Sequence, residues 1–234
     1  MNRLQLELDR LYGPGPHAAE APHALRALVL ELALPAGWTE LYPAWMGVQS
    51  ELGLPAPAIA VSGFDSLQLW FSLASPILQA DGARFLEGVR TRYLAQVKTS
   101  QVRLVAAADA FSRAPPVERS PARWSAFVSP DLASVFSDTP WLDVPPTEDG
   151  QATLLRSLEP IRRPAFEAAL RQLDGRAEAA PREPALPAAE AVRPPEHEAA
   201  DPLRFLAGVM ADETVPLALR IEAAKALLPY SGRS

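Results

Sequence analysis

Residues 28–73 read LVLELALPAGWTELYPAWMGVQSELGLPAPAIAVSGFDSLQLWFSL. The stretch opens with RALVLELA (26–33), an apolar run read as a short strand because Val29 favours extended backbone and Pro35-Ala36-Gly37 stops it. Thr39 then reads as a helix N-cap. Leu41, Trp45, Val48 and Leu52 follow at i, i+4, i+7 and i+11, one apolar helical face. Pro43, in the second turn, costs that helix a little. Gly53 suits the position just past the helix, and Pro55 prevents its continuation. PAIAVS (57–62) and LQLWFSL (67–73) are β-rich runs around Gly63-Phe64-Asp65-Ser66, a hairpin signal. Leu67, Leu69, Phe71 and Leu73 alternate with Gln68, Trp70 and Ser72, so the second run presents one packed apolar face.

Outward from this stretch the pattern keeps mixing strands and helices. Residues 3–12 read as a helix stopped by Gly13-Pro14, and 81–98 as a helix with Leu86, Val89, Tyr93 and Val97 on one face. VRLVAA (102–107) and 124–129 read as strands, and WLDVPP (141–146) as a short one. Ser129 caps a short helix begun by Pro130. Helices over about 150–158 and 164–173 close the domain, with Gly175 as terminator. The expected class is α+β, a mixed sheet with flanking helices. Residues 174–200, DGRAEAAPREPALPAAEAVRPPEHEAA, have neither aromatic residues nor a period and read as a disordered linker. It separates a main domain (1–173) from a C-terminal element (201–234).

Composition narrows the chemistry. The 234 residues include 25 prolines, three histidines and no cysteine. Disulfides, Fe–S clusters, cysteine zinc sites and thiol catalysis are therefore excluded. His17, His23 and His197 show no metal-ligand spacing, so no metal or other cofactor is expected. No P-loop, G-x-S-x-G, H-E-x-x-H or G-x-G-x-x-G motif is present. No apolar run is long enough for a membrane span, and the first residues carry acids, which points to the cytoplasm and away from membranes. The net charge of −6 argues against binding nucleic acid by bulk charge. Residues 84–123 nevertheless carry eight basic and three acidic side chains. That segment reads either as a solvated helix face or as a local phosphate contact.

The 28–73 stretch resembles the core of the archaeo-eukaryotic primase superfamily, which includes the polymerase domains of bacterial end-joining ligases. The resemblance lies in the order of elements. Leu52-Gly53-Leu54-Pro55 leads into Val61-Ser62-Gly63, then Leu67-Gln68-Leu69-Trp70 falls where the family writes a histidine after leucine. VRLVAAAD (102–109) and the loop RAPPVERSPAR resemble the arginine-containing strand and loop of some relatives. The resemblance implies a primase-like sheet whose strand would carry two metal-binding aspartates. Here Glu31 stands at the first, Ala33 at the second, and Gln68 at the histidine. Alanine cannot ligate a metal, and two-metal transfer needs at least two converging carboxylates. The chain therefore resembles a degenerate member with no catalytic residues and no metal. The implied phosphate contacts are Arg84, Arg90, Arg92, Lys98 and Arg103, with backbone donors at Ser62 and Gly63. SGFDSLQLWFSL (62–73) also reads simply as a hairpin with a packed face.

Residues 201–230, DPLRFLAGVMADETVPLALRIEAAKALLPY, resemble a short helical module of phage-derived proteins, including some small terminase subunits. The chain departs from that pattern after Pro229-Tyr230, ending in Ser-Gly-Arg-Ser. Thirty residues bury too little to be stable alone, so a helical hairpin that docks or self-associates is expected.

Three functions follow as expectations. The first is a non-catalytic DNA- or nucleotide-binding accessory protein of a phage-derived or mobile-element replication or packaging system. The second is a scaffold or assembly protein acting through protein contacts alone. The third is a divergent nucleotidyltransferase with ligands relocated around Glu31, Asp109 and Asp143.

Overall fold

The computed structural model describes residues 2–13, 24–107 and 110–179. The expected tail module (201–234), residues 180–200 of the expected linker, and Asp109 lie outside them. The elements run α1 (Arg3–Tyr12), β1 (Ala24–Ala33), α2 (Trp38–Ser50), β2 (Ala58–Val61), β3 (Ser66–Leu78), α3 (Gln79–Tyr93) and β4 (Val102–Val105). Then follow β5 (Glu118–Ser120), β6 (Arg123–Trp124), β7 (Ala126–Val128), α4 (Glu148–Arg156) and α5 (Arg163–Ala179). Short 3-10 turns occupy Thr99–Gln101, Ala110–Arg113 and Pro130–Phe136. The class is α+β, as the mixed pattern of strands and helices led one to expect.

Five strands form one sheet in the order β4-β1-β3-β2-β7, and every neighbouring pair is antiparallel. The expectation of a mixed sheet is thus corrected. The reason is interleaving. β1 and β2 both run antiparallel to β3, so they are parallel to each other with β3 between them. β3 and β4 are likewise parallel, with β1 between them. The two β-α-β crossovers, through α2 and α3, each leave a gap that the other fills. This β-α-β-β-α-β arrangement is ferredoxin-like.

Strand alternation sorts the core onto two faces. Leu28, Leu30, Leu32, Leu67, Leu69, Phe71, Ile59 and Val61 meet Leu41 and Val48 of α2, Phe85 and Val89 of α3, and Phe166 and Leu170 of α5. Phe85 sits between Phe71 and Phe166, both ring centroids 5.3 Å away. On the other face Ala27, Val29, Ala60, Trp70 and Phe127 meet Leu8, Leu11 and Tyr12 of α1 and Leu155 of α4. Tyr12 stacks on Phe127 and turns its edge to Trp70. These small helices cover only part of the second face.

Several boundaries differ from the sequence reading for local reasons. α2 begins earlier, with Gly37 rather than Thr39 as N-cap, because the Glu40 carboxylate accepts the Gly37 N–H at 2.8 Å. α3 stops at Tyr93, and WLDVPP contributes only a bridge from Leu142 to Trp124. α5 runs through Gly175 to Ala179, into the stretch read as linker. The flanking Arg, Ala and Glu residues are strong helix formers, and an exposed glycine costs a helix only about 1 kcal/mol.

Candidate functional site

The uncovered part of the second face is polar. Alternation puts Glu31 and Ala33 of β1, Ser66 and Gln68 of β3, and Arg103 of β4 on it. Register then brings Glu31 beside both Gln68 and Arg103, since it pairs with each across adjacent strands. Gln68 Nε2 donates to Glu31 Oε1 at 3.1 Å, and Trp70 Nε1 donates to Gln68 Oε1 at 2.8 Å. Arg103 Nη1 lies 3.5 Å from Glu31 Oε2. One Glu31 oxygen thus accepts a hydrogen bond and the other lies against a guanidinium.

Glu31, Ser66, Gln68, Trp70 and Arg103 line a groove of about 370 Å³, with Phe64 and Asp65 of the β2–β3 turn, Arg113, and Arg119 of β5 around it. Three arginines (Arg103, Arg113, Arg119) and two acidic residues (Glu31, Asp65) line it. Arg119 Nη2 donates to the Arg113 carbonyl at 3.0 Å, tying the two arginine-bearing segments together. Phe64 is 61% exposed at the rim. Burial raises the Glu31 carboxyl above the usual glutamate range. Arg103 and Arg113 oppose that shift, Asp65 adds to it, and the Gln68 hydrogen bond opposes it.

That shift has a consequence for stability. A carboxyl whose folded pKa is raised favours the fold below its unfolded pKa, and this contribution is lost as pH rises through the folded value. Glu31→Gln keeps an oxygen for Gln68 and removes the ionisation. Chemical denaturation is expected to find this variant more stable than wild type at neutral pH. The advantage should shrink as pH falls toward about 4, near the unfolded glutamate value. An advantage independent of pH would contradict the assignment.

The structure sorts the residues singled out in the sequence. Glu31, Gln68 and Arg103 come together, and Ser62 lines the same groove. Ala33 shares the Glu31 face but supplies no ligand atom. The backbone donors at Ser62 and Gly63 are already used: Ser62 N–H donates to Ser66 O at 2.9 Å and Gly63 N–H to Pro140 O at 3.0 Å. Ser62 Oγ accepts from the Phe64 and Ser66 amides, which leaves its hydroxyl proton for a ligand.

The helix arginines go elsewhere. α3 packs on the opposite face of the sheet, so Arg84, Arg90 and Arg92 point away from the groove. Arg84 pairs with Asp81 and Asp174, Arg90 with Glu87, and Arg92 with Glu51. Lys98 is exposed in the turn before β4. The basic segment 84–123 is therefore divided between two faces. Sequence reading missed Phe64, Asp65, Arg113 and Arg119 as individual site residues. The signals present were the hairpin turn for the first two and the RAPPVERSPAR loop for the others.

The donor set does not suit a pair of divalent cations. Both Glu31 oxygens face N–H donors, and two guanidinium groups act on the carboxylate. Asp143 does not line the groove; its carboxylate accepts from Trp141 Nε1 at 3.2 Å. Among the described residues no group of three or more His, Asp or Glu side chains could hold a metal ion. Among them, too, no helix is long and apolar enough to cross a membrane.

No protein-family model matches the chain, and neither a curated protein nor a solved structure does.

Proposed function

We propose that the chain is a non-catalytic binding protein that takes phosphate groups of nucleic acid or nucleotides in the groove on the open sheet face. The observation that carries this reading is the meeting of Glu31, Gln68 and Arg103 in one groove with Arg113 and Arg119. Guanidinium groups pair with phosphate oxygens in a bidentate way, and Arg103 is exposed enough to do so. Phe64 adds an exposed aromatic surface beside them, the combination on which single-stranded nucleic acids bind through phosphate and base stacking together. The primase-like order of elements supports the same reading, and Ala33 with Gln68 supports loss of the ancestral two-metal chemistry. A role in a phage-derived or mobile-element replication or packaging system rests on the likeness of residues 201–230 to phage modules.

Fluorescence anisotropy at low salt tests the reading. Binding to a short single-stranded oligonucleotide, a duplex or a nucleoside triphosphate is expected, weakening steeply as salt rises for the polyanions. Absence of binding to all three would overturn it.

A further inference from the structure

We propose that Glu31 is a built-in competitor for the phosphate that the groove takes: its carboxylate holds Arg103 when the groove is empty, and a bound phosphate takes Arg103 over. This inference rests on the groove reading above and adds how tightly the site is set to bind.

The ion pair is asymmetric. The Glu31 side chain is only 18% exposed, whereas that of Arg103 is 75% exposed. Glu31 is fixed from one side by Gln68 Nε2, and Gln68 is fixed by Trp70, itself buried. The carboxylate therefore cannot follow a departing partner. Arg103 stands on the outermost strand and touches Glu31 at 3.5 Å, longer than a good charge-assisted hydrogen bond. Such a loosely held, exposed guanidinium costs little to redirect. A phosphoryl group offers it two oxygens in the fork geometry it prefers.

The other charges around Glu31 sharpen the competition. Arg113, from the turn beyond β4, and Arg119, from β5, line the same groove and stay cationic whichever anion is present. Asp65, from the β2–β3 turn, is the only other acidic side chain lining it among the described residues. Asp65 is exposed, so solvent and salt screen it. Glu31, at the floor, is screened far less. It is thus the negative charge that an entering phosphate must displace from Arg103 and then tolerate nearby.

Titration calorimetry at low salt, with chelator present, tests the proposal on the full chain. Two probes separate the sources of phosphate: a short oligothymidylate and a nucleoside triphosphate. Three proteins are compared: wild type, Glu31→Gln, and Glu87→Gln. The last makes the same charge change on α3, on the opposite face of the sheet. Glu31→Gln is expected to bind at least one probe about tenfold tighter than wild type, the scale of one nearby unit charge at a partly screened site. Glu87→Gln is expected to stay within about twofold of wild type. Tightening for only one probe supports the proposal and identifies the source of the phosphate. Equal tightening by both variants, or none by Glu31→Gln while wild type binds, would overturn this inference and leave the groove reading standing. No binding by wild type or Glu31→Gln to either probe would overturn both.

Discussion

Gly63→Ala should lower the unfolding free energy by about 3 kcal/mol or more, through two separate costs. Gly63 has φ +79°, a left-handed conformation that costs an L-residue about 1–2 kcal/mol. A Cβ there would also stand 2.7 Å from Ser125 N and 3.0 Å from the Trp124 carbonyl carbon. Both are backbone atoms at the junction of β6 and β7, so no side chain can simply swing away. That segment is pinned in turn, since Ser125 N–H donates to Val117 O at 2.9 Å and Ser125 Oγ accepts the Val117 N–H at 2.9 Å. Gly53→Ala supplies the comparison. Gly53 has φ +65° but open space around its missing Cβ. It should therefore cost only the conformational part, about 1 kcal/mol. Urea midpoints for the two variants, at unchanged slope, measure the difference. If Gly63→Ala costs no more than Gly53→Ala, the close approach of the β2–β3 turn to the β6–β7 segment is wrong. Arg119 Cγ lies 2.8 Å from the same Cβ position, so the groove rim should be disturbed as well.

Gln151→Leu is expected to cost about 3 kcal/mol, because a buried side-chain amide closes the sheet edge. β7 is the last strand beside β2, and its outward N–H and C=O at Phe127 need partners. Gln151 provides both: the Phe127 N–H donates to Gln151 Oε1 at 2.7 Å, and Gln151 Nε2 donates to Phe127 O at 2.9 Å. Gln151 is 5% exposed and Phe127 2%. Leucine of similar volume leaves two buried backbone groups unpaired, at about 1–3 kcal/mol each. Amide hydrogen exchange at Phe127 should accelerate in step with the loss of stability. A variant as stable as wild type would mean that water satisfies these groups.

Much of the central architecture was legible because it rests on local periodicity. The alternation of Leu67, Leu69 and Phe71 with Gln68 and Trp70 marks a strand with one core face, and Gly63 marks its turn. Once β1 and β3 are paired in register, Glu31 and Gln68 must be neighbours, since slipping by one residue would turn Leu30 and Leu69 out of the core. Arg103 was less legible, because nothing local says that β4 adds beside β1 rather than at the far edge. That the helix arginines lie on a different face from Arg103 was hidden for a related reason. A run of basic residues looks continuous in sequence, yet α3 crosses the sheet on one face while the residues after β4 return over the other. Gln151 was invisible as an edge cap, since its partner is backbone and carries no sequence signature. The continuation of α5 past Gly175 shows a weak stop signal overridden by good helix formers around it.

If the groove takes phosphate, the basic helix on the opposite face should contribute nothing to binding. The most direct measurement compares two double variants that remove the same charge. Arg103→Ala with Arg119→Ala should weaken binding of a short single-stranded oligonucleotide by about tenfold or more and flatten its salt dependence. Arg84→Ala with Arg92→Ala should bind within about twofold of wild type, since those side chains are already matched by Asp81, Asp174 and Glu51. Equal losses in the two variants, or a larger loss from the helix pair, would mean that the groove is not where phosphate binds.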